Sequence, residues 1–436
     1  MERVLRELYL CLMRYPYFLF LFLFSISTSS LYSQKDTAQV VVPGRINSLE
    51  AQKAPYVVLI SVDGLRPDYL ERFGAKHLLA LKKSGVSSRR FLPSYPSITG
   101  PNHYAMITGL YPSHSGFVDN HFYDREREDS FAMSKAEKIT DGTWLKGLPL
   151  WGLAERQGML SASLFWVASN GTAGGTRPTY YYPYHEEFSA EKRVDIAADW
   201  LGLPEEKRPH FISMYFFEVD KAGHLYGTSS KEVREAVLMV DKAVGDLQKR
   251  IDSLGLKDLH LILVSDHGMT DVEVDTPLEI PAVLRQEGKV KIYNSQTLLR
   301  VMVHNPKDVQ PLYRKLKKEK TSHYKVYLAS RFPKRLQYRS ADDAFDRMGE
   351  IFLVPSHPKI FLGPGDKATP GKHGYDPYKV KDMHSVFIAK GPRLKNNKTV
   401  RGMKNVDLYP LVAEILGLEM LSPTDGRLRR SKAALR

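Results

Sequence analysis

Residues 56–64 read YVVLISVDG. From Tyr56 to Val62 only Ser61 interrupts the apolar run. A stretch that is apolar on both faces suits a buried strand of a parallel sheet covered by helices on each side. Asp63-Gly64 then ends it. Comparable runs recur at Leu160–Trp166, His210–Val219, Leu259–Ser265 and Ser385–Ala389. Helical patterns lie between them. After Ser230, a good N-cap, Val233, Val237, Val240, Val244, Leu247 and Ile251 recur at three- and four-residue spacing, and Gly255 closes the helix. Strands alternating with helices predict an α/β fold: a doubly wound, mostly parallel central sheet with helices on both faces. Ligands of such sheets bind beyond the carboxyl ends of the strands. Asp63 ends one run, Asp266 and His267 follow another, and Asp220 closes a third, so four polar groups are expected at one rim.

Outward from this frame, residues 34–54 read as a linker. Residues 55–425 form the main domain, and residues 426–436 form a basic, solvated tail. From about Lys289 to Phe361 the pattern changes to a small α+β insert. It offers a strand at Thr297–Val303, a basic helix at Val309–Lys320, and strand-like stretches at Tyr324–Leu328 and Ile351–Val354. The chain has 436 residues, 43% of them hydrophobic, enough for a substantial core.

The first 33 residues differ. Arg3, Arg6 and Arg14 precede an apolar run from Tyr15 to Phe24, followed by small and hydroxyl residues to Ser33. This is the layout of a secretory signal, and the run is short for a membrane span. No stable membrane span is therefore expected once it is cleaved. The one cysteine, Cys11, lies within it, so the remainder has neither disulfide nor thiolate metal site. An exported protein without cysteine fits a bacterial periplasm or cell surface better than an animal extracellular enzyme. Asn170-Gly171-Thr172 and Asn397-Lys398-Thr399 match the glycosylation pattern, which is common by chance.

Net charge is +14. Such a surface favours anionic small molecules or anionic surfaces. No zinc-finger spacing, RNA-recognition signature or helix-turn-helix is present, so specific nucleic-acid binding is not expected. The basic runs at Arg314–Lys320 and Arg427–Arg436 read as a solvated helix face and tail.

Several side chains carry possible chemistry. Asp220 and His224, four apart in FEVDKAGH, face the same way on a helical turn and suit a metal. Asp266-His267-Gly268 sits where a strand breaks, so adjacent residues can reach one ion. His373 lies in the loop GKHGYDP and Asp63 in a turn; each gains weight only from the others. Thr99 precedes a helix start near Pro101; it reads equally as a simple N-cap or as a hydroxyl beside the free N–H groups and helix dipole that make a seat for phosphate. Asn120 is an uncharged amide donor.

The ordered segments LISVDG, TGPNHYAMITGLYPSHSG, DN, FEVDKAGH, SDHGM and GKHGYDP resemble the nucleotide pyrophosphatase/phosphodiesterase family of the alkaline phosphatase superfamily. The resemblance runs from about Tyr56 to Leu416, and the chain reads as a bacterial exported member. It implies two Zn2+ per chain. Asp63, Asp266 and His267 would hold one ion, with the Thr99 oxygen as a further ligand; Asp220, His224 and His373 would hold the other. His103 and His384 are assigned to neither. Thr99 would be the nucleophile, passing through a phospho-threonine. Asn120 would contact a non-bridging phosphate oxygen, with backbone N–H near Gly100. Two ions roughly 3.5–4 Å apart clamp both oxygens of an in-line displacement.

The implied reaction is hydrolysis of a phosphodiester or phosphoanhydride bond in an anionic small molecule or nucleotide. Phosphomonoester and lysophospholipid or choline-ester cleavage are alternatives on the same scaffold. One departure bears on substrate. Nucleotide-hydrolysing relatives typically carry Phe after the nucleophile, stacked on the base; here it is Gly100, which leaves room for another group. Tyr180, Tyr181, Tyr182 and Tyr184 either compensate from another loop, with Tyr182 as the substrate contact, or simply pack.

Overall fold

The 56–62 run is a fully buried strand near the middle of a nine-stranded sheet in the computed structural model, which describes residues 37–285 and 288–436. In chain order the strands of that sheet are β1 (Val40–Val41), β2 (Tyr56–Val62), β3 (Val86–Ser88), β4 (Ser161–Leu164), β5 (Tyr180–Tyr182), β6 (Phe211–Phe216), β7 (Leu259–Val264), β8 (Phe387–Lys390) and β9 (Lys398–Val400). Their spatial order is β1-β5-β4-β6-β2-β7-β8-β3-β9. The five strands β5, β4, β6, β2 and β7 run parallel. β8 runs antiparallel to β7, so the last apolar run is not another βαβ strand. The rim is set by register: Val62 pairs with Phe216 and Ser61 with Val264, which brings the ends of β2, β6 and β7 level.

Alternation along β2 divides the core. Val57 and Leu59 face one side with Tyr104, Met106 and Ile107 of α1 (Thr99–Thr108). Val58, Ile60 and Val62 face the other. There they meet Val194 and Ala197 of α2 (Ala190–Leu201) and the valines of α4 (Lys231–Ser253), which follows α3 (Glu218–Tyr226). Burying each such aliphatic side chain contributes about 1.5–3 kcal/mol. The Ser230 side chain accepts a hydrogen bond from Val233 N at 3.2 Å, and Gly255 beyond the helix takes a positive φ.

A second, four-stranded antiparallel sheet is ordered Val290–Asn294, Leu299–Val303, Ile351–Pro355, Tyr324–Leu328. The helix Val309–Glu319 covers it through the buried Leu316, with Lys315, Lys317 and Lys318 exposed. The half-exposed strand Val290–Asn294 was not singled out from sequence.

Both flanking segments depart from expectation. Residues 39–54 are docked, not a free linker. β1 pairs with β5, and the buried Asn47 amide donates to the carbonyls of Glu205 and Arg208, each at 2.7 Å. The C-terminus is not a solvated tail. Ser431 and Ala434 are fully buried, and Arg430 pairs with the Asp407 carboxylate at 2.9 Å. The charge count hid the small residues that let this segment pack. The signal at 1–33 lies outside the described residues. Among those described, no helix is long and apolar enough to cross a membrane.

Candidate metal centre

Two strand ends, the first turns of a helix and a loop deliver the site. Asp63 leaves β2 with its N–H bonded to Phe216 O at 2.8 Å. Gly64 follows at φ +68°, its N–H donating to Asp266 Oδ1 at 3.2 Å. A Cβ on Gly64 would stand 3.0 Å from the Asp220 backbone, so glycine lets the two loops close. Asp266 and His267 leave β7. Asp220 does not end a strand: it lies in the first turn of α3, with His224 one turn later on the same face, His224 Nε2 to Asp220 Oδ2 being 3.5 Å. The 371–377 loop brings in His373, whose ring stacks on His267 at 3.6 Å.

Backbone carbonyls set the tautomer of each histidine. A carbonyl only accepts, so the Nδ1 facing it carries the proton. Nδ1 of His224 meets Gly371 O at 2.8 Å, that of His267 meets Gly268 O at 2.9 Å, and that of His373 meets Ser97 O at 2.9 Å. Each Nε2 is left with a bare lone pair aimed inward. His267 Nε2 lies 3.0 Å from Asp266 Oδ2, 3.2 Å from Thr99 Oγ1 and 3.4 Å from Asp63 Oδ1. His373 Nε2 lies 3.1 Å from His224 Nε2 and 3.6 Å from Asp220 Oδ1. Orientation of the ligating nitrogen by a bond at the other nitrogen is the usual second layer of a metal site.

The electrostatics point the same way. Asp63 Oδ1, Asp220 Oδ1 and Asp266 Oδ2 are buried without a hydrogen-bond partner. Burial first, then the like charge of a neighbour, pushes all three carboxyls well above the usual range; the neighbour is Asp220 for Asp63, Asp266 for Asp220, and Asp63 for Asp266. Burial pushes His224 down to about 4 and holds His267 and His373 well below the ordinary imidazole value. Buried carboxylates that repel one another, faced by imidazoles that resist protonation, call for divalent cations. The donor set of oxygen and imidazole nitrogen fits them. Two groups of ligand atoms stand close enough for an ion each, Asp220 with His267 and His373, and Asp63 with Asp266 and His103.

His103 is excluded as a ligand by its own bonds. Its Nδ1 faces Thr99 O at 3.0 Å and its Nε2 accepts from Ser61 Oγ at 2.8 Å, so both nitrogens are occupied. His384 lies apart, with Nε2 on Pro377 O at 3.0 Å.

Thr99 is the first residue of α1, two residues earlier than its proline suggested, and its hydroxyl faces the histidine and carboxylates just described. The Gly100 N–H donates to Asn120 Oδ1 at 3.0 Å. That bond fixes the amide orientation and leaves the Asn120 NH2 as the donor. The Gly100 N–H itself is already engaged. Nor does Gly100 open a space: a Cβ there would meet Asn120 Oδ1 and Phe117 Cζ at 2.6 Å and Met133 Sδ at 2.8 Å. Tyr182 is not brought to the centre; its ring packs on Phe188 and Trp200. Tyr184, half exposed, is the tyrosine that approaches, packing on Tyr215 and Phe217.

Tyr215 was invisible from sequence. Its hydroxyl donates to Asp63 Oδ2 at 2.5 Å, yet in the run FISMYF it reads as one more core aromatic.

Comparison with known proteins agrees with this geometry. Residues 57–376 match the type I phosphodiesterase / nucleotide pyrophosphatase family, and the chain belongs to it. Mouse ectonucleotide pyrophosphatase/phosphodiesterase family member 1 is 33% identical over 391 residues, 86% of this chain and 42% of that protein. A venom phosphodiesterase of Crotalus durissus collilineatus is 32% identical over 85% of this chain and 45% of its own length. The chain thus spans less than half the length of these relatives. Murine ectonucleotide pyrophosphatase / phosphodiesterase 5 superposes with a TM-score of 0.80 at 27% identity, over 87% of this chain and all of the other. An inactive variant of it, in complex with AMP, gives the same score over 88%. The doubly wound, mostly parallel sheet flanked by helices is that of these structures.

These relatives correct one expectation. They are ectonucleotide enzymes of mouse, human, rat and cattle and venom phosphodiesterases, which overturns the reading of a bacterial exported member and a bacterial periplasm. That reading rested on missing cysteines. Lack of a thiol reports how a fold is stabilised, and here a large core suffices without disulfides.

Proposed function

We propose that the chain is a two-zinc phosphodiesterase/nucleotide pyrophosphatase that acts through a phospho-threonine on Thr99. The carrying observation is one cluster of three proton-free Nε2 atoms, two buried carboxylates and the partly buried Asp220, with the Thr99 hydroxyl 3.2 Å from the His267 Nε2. Asp63, Asp266 and His267, with the Thr99 oxygen, would hold one zinc; Asp220, His224 and His373 would hold the other. When bound, such ions lower the pKa of a hydroxyl and stabilise charge on a leaving oxygen.

The chain's residues do the rest. Thr99 Oγ loses its proton to solvent water and attacks phosphorus in line, the P–O bond to the leaving alcohol or nucleotide breaks, and that oxygen departs with the bond's electron pair and takes up a proton from water. Water then attacks phosphorus of the phospho-threonine, the P–Oγ bond breaks with its electron pair on Oγ, and the proton that the water sheds is balanced by the one Oγ takes up, restoring Thr99. The Asn120 NH2, aimed by the Gly100 N–H, donates to a non-bridging oxygen. We assign residues 55–425 to this one domain, with the insert at about 289–361 as part of it and the docked 39–54 and packed 426–436 segments completing it.

Anionic nucleotides are the favoured substrates. The net charge of +14 attracts them, and the AMP complex of the murine relative supports the same class. Tyr184, half exposed and packed on Tyr215, would be the aromatic side chain that meets a base. The packing of Phe117 and Met133 over Gly100 removes the space that would have favoured a bulkier lipid group there.

Release of p-nitrophenol from p-nitrophenyl thymidine-5′-monophosphate, with zinc, with a chelator and with Thr99→Ala, tests the reading. Turnover that needs zinc and Thr99 is expected. Faster release from p-nitrophenyl phosphate than from the diester would sink the diesterase assignment.

A further inference from the structure

Asn120 lies between the short helix Pro112–Ser115 and the hairpin of His121–Asp124 and Asp129–Ala132. Its own bond to Gly100 aims the amide, but nothing in that bond fixes the backbone on which the amide rides. The groups that do so come from residues 300–347, in and beside the small sheet. Arg300, on the strand Leu299–Val303, is fully buried. Its Nη2 donates to His121 O at 2.7 Å and lies 3.2 Å from the Asp119 carboxylate. The His121 carbonyl, which accepts a hydrogen bond, and the Asp119 carboxylate, which pairs with Arg300 by charge alone, flank Asn120 on either side. Nη1 donates to Arg347 O at 3.2 Å, which ties the guanidinium down. Tyr338 Oη donates to Val118 O at 2.9 Å. Arg347, also buried, donates to Gly116 O at 2.9 Å and to Asp124 Oδ2 at 2.7 Å. Backbone or side-chain acceptors at 116, 118, 119, 121 and 124 are thus all held by this one region.

Arginine suits the task. Its planar fork donates to the His121 carbonyl through Nη2 and to the Arg347 carbonyl through Nη1 in a fixed geometry while its charge meets Asp119, whereas a lysine ammonium is a point charge without that fork. A full positive charge sealed in the interior is costly unless paired and hydrogen-bonded. Its retention next to an amide that must meet a phosphate oxygen asks for a role.

We propose that Arg300 is a positioning residue for Asn120: by gripping Asp119 and His121 together it sets where the Asn120 amide meets the phosphate. The insert is then part of the catalytic apparatus. The substrate side of this inference rests on the diesterase reading; the placement of Asn120 does not.

Two measurements separate them. The first uses metal-free protein and no substrate. Gly100 is the second residue of α1, and the first four N–H groups of a helix have no intrahelical acceptor. Exchange of the Gly100 amide therefore reports its bond to Asn120 Oδ1. Arg300→Lys is expected to speed that exchange while amides in the middle of α1 keep their protection. Unchanged exchange at Gly100 overturns the proposal, whatever the activity.

The second uses zinc-loaded protein and bis-p-nitrophenyl phosphate. A misplaced group can reduce rate by up to roughly a hundredfold. Arg300→Lys is expected to lower kcat about tenfold with KM within about twofold, and to have no further effect in an Asn120→Ala background. Effects that multiply in the double variant overturn the proposal, because Arg300 then acts without Asn120. Should Arg300→Lys not fold, Asp119→Asn removes one of the two gripped groups and is read in the same two ways. Inactive wild-type enzyme with altered Gly100 exchange in the variant would reject the diesterase reading and leave the positioning role standing.

Discussion

Nε2 of His224 and Nε2 of His373 stand 3.1 Å apart, and neither carries a proton, because the Nδ1 atoms of the two rings donate to Gly371 O and Ser97 O. Two bare lone pairs at that distance repel. A cation on the side of Asp220, whose carboxylate lies 3.5 Å from one nitrogen and 3.6 Å from the other, turns the contact into shared coordination.

Zinc should therefore stabilise the folded chain. At free ion about a hundred times Kd the linkage contributes ~2.7 kcal/mol. We predict a rise in thermal midpoint on adding zinc and a fall with chelator, measured by scanning calorimetry. A midpoint indifferent to both would rule out a metal centre here.

Asp220→Asn should change sign with metal. In chelator it removes a buried carboxylate whose ionisation burial and Asp266 oppose, so it should stabilise by on the order of 1 kcal/mol. With zinc it should destabilise relative to wild type. Urea unfolding in both conditions checks this; a variant less stable in both would show that Asp220 matters as a neutral structural group.

Tyr215→Phe removes the donor to Asp63 Oδ2 without changing ring packing. Leaving a buried acceptor unpartnered costs about 1–3 kcal/mol. Loss of such a supporting bond typically weakens metal binding about 10- to 100-fold. Competition with a chromophoric chelator measures it, and unchanged zinc affinity would reduce Tyr215 to a packing residue.

Gly100→Ala adds a methyl 2.6 Å from both Phe117 and Asn120. Overpacking of this kind costs about 1–3 kcal/mol. Because one of the displaced atoms is the Asn120 amide oxygen, kcat should fall as well. A stable, fully active alanine variant would show that the two loops give way freely.

His114 provides a pH dependence away from the metal ligands. Its hydrogen bond to the Asp425 side chain, 2.8 Å, raises its pKa above the ordinary value, against partial burial. A raised folded pKa means the charged pair contributes fully below about pH 6.5, the unfolded value, and fades as pH rises through the folded value. The stability gap between wild type and His114→Gln should shrink from about pH 6 to about pH 9. A gap constant over that range would mean the imidazole does not titrate against Asp425.

Hydrophobic patterning along the chain was enough for the layered α/β frame, because strands apolar on both faces must be covered by helices on both: β2 starts and stops where its apolar run does, and α4 is capped where Ser230 stands. Spacing also determined that Asp220 and His224 share a helix face. How the pieces work together came from contacts between distant segments. Register put the ends of β2, β6 and β7 level. Carbonyls at Ser97, Gly268 and Gly371, remote in sequence from most of what they orient, chose the histidine tautomers. Tyr184, not Tyr182, reached the centre because the chain passes over Tyr215 after β5. Gly100 proved to be filled by Phe117 and Met133, and the chain ends packed, because small residues at Ser431 and Ala434 outweigh the charges around them. A pattern along one chain records which faces must be buried; which atoms meet depends on contacts between segments far apart in the chain, such as Arg300 with His121 (179 residues) and Arg347 with Asp124 (223 residues).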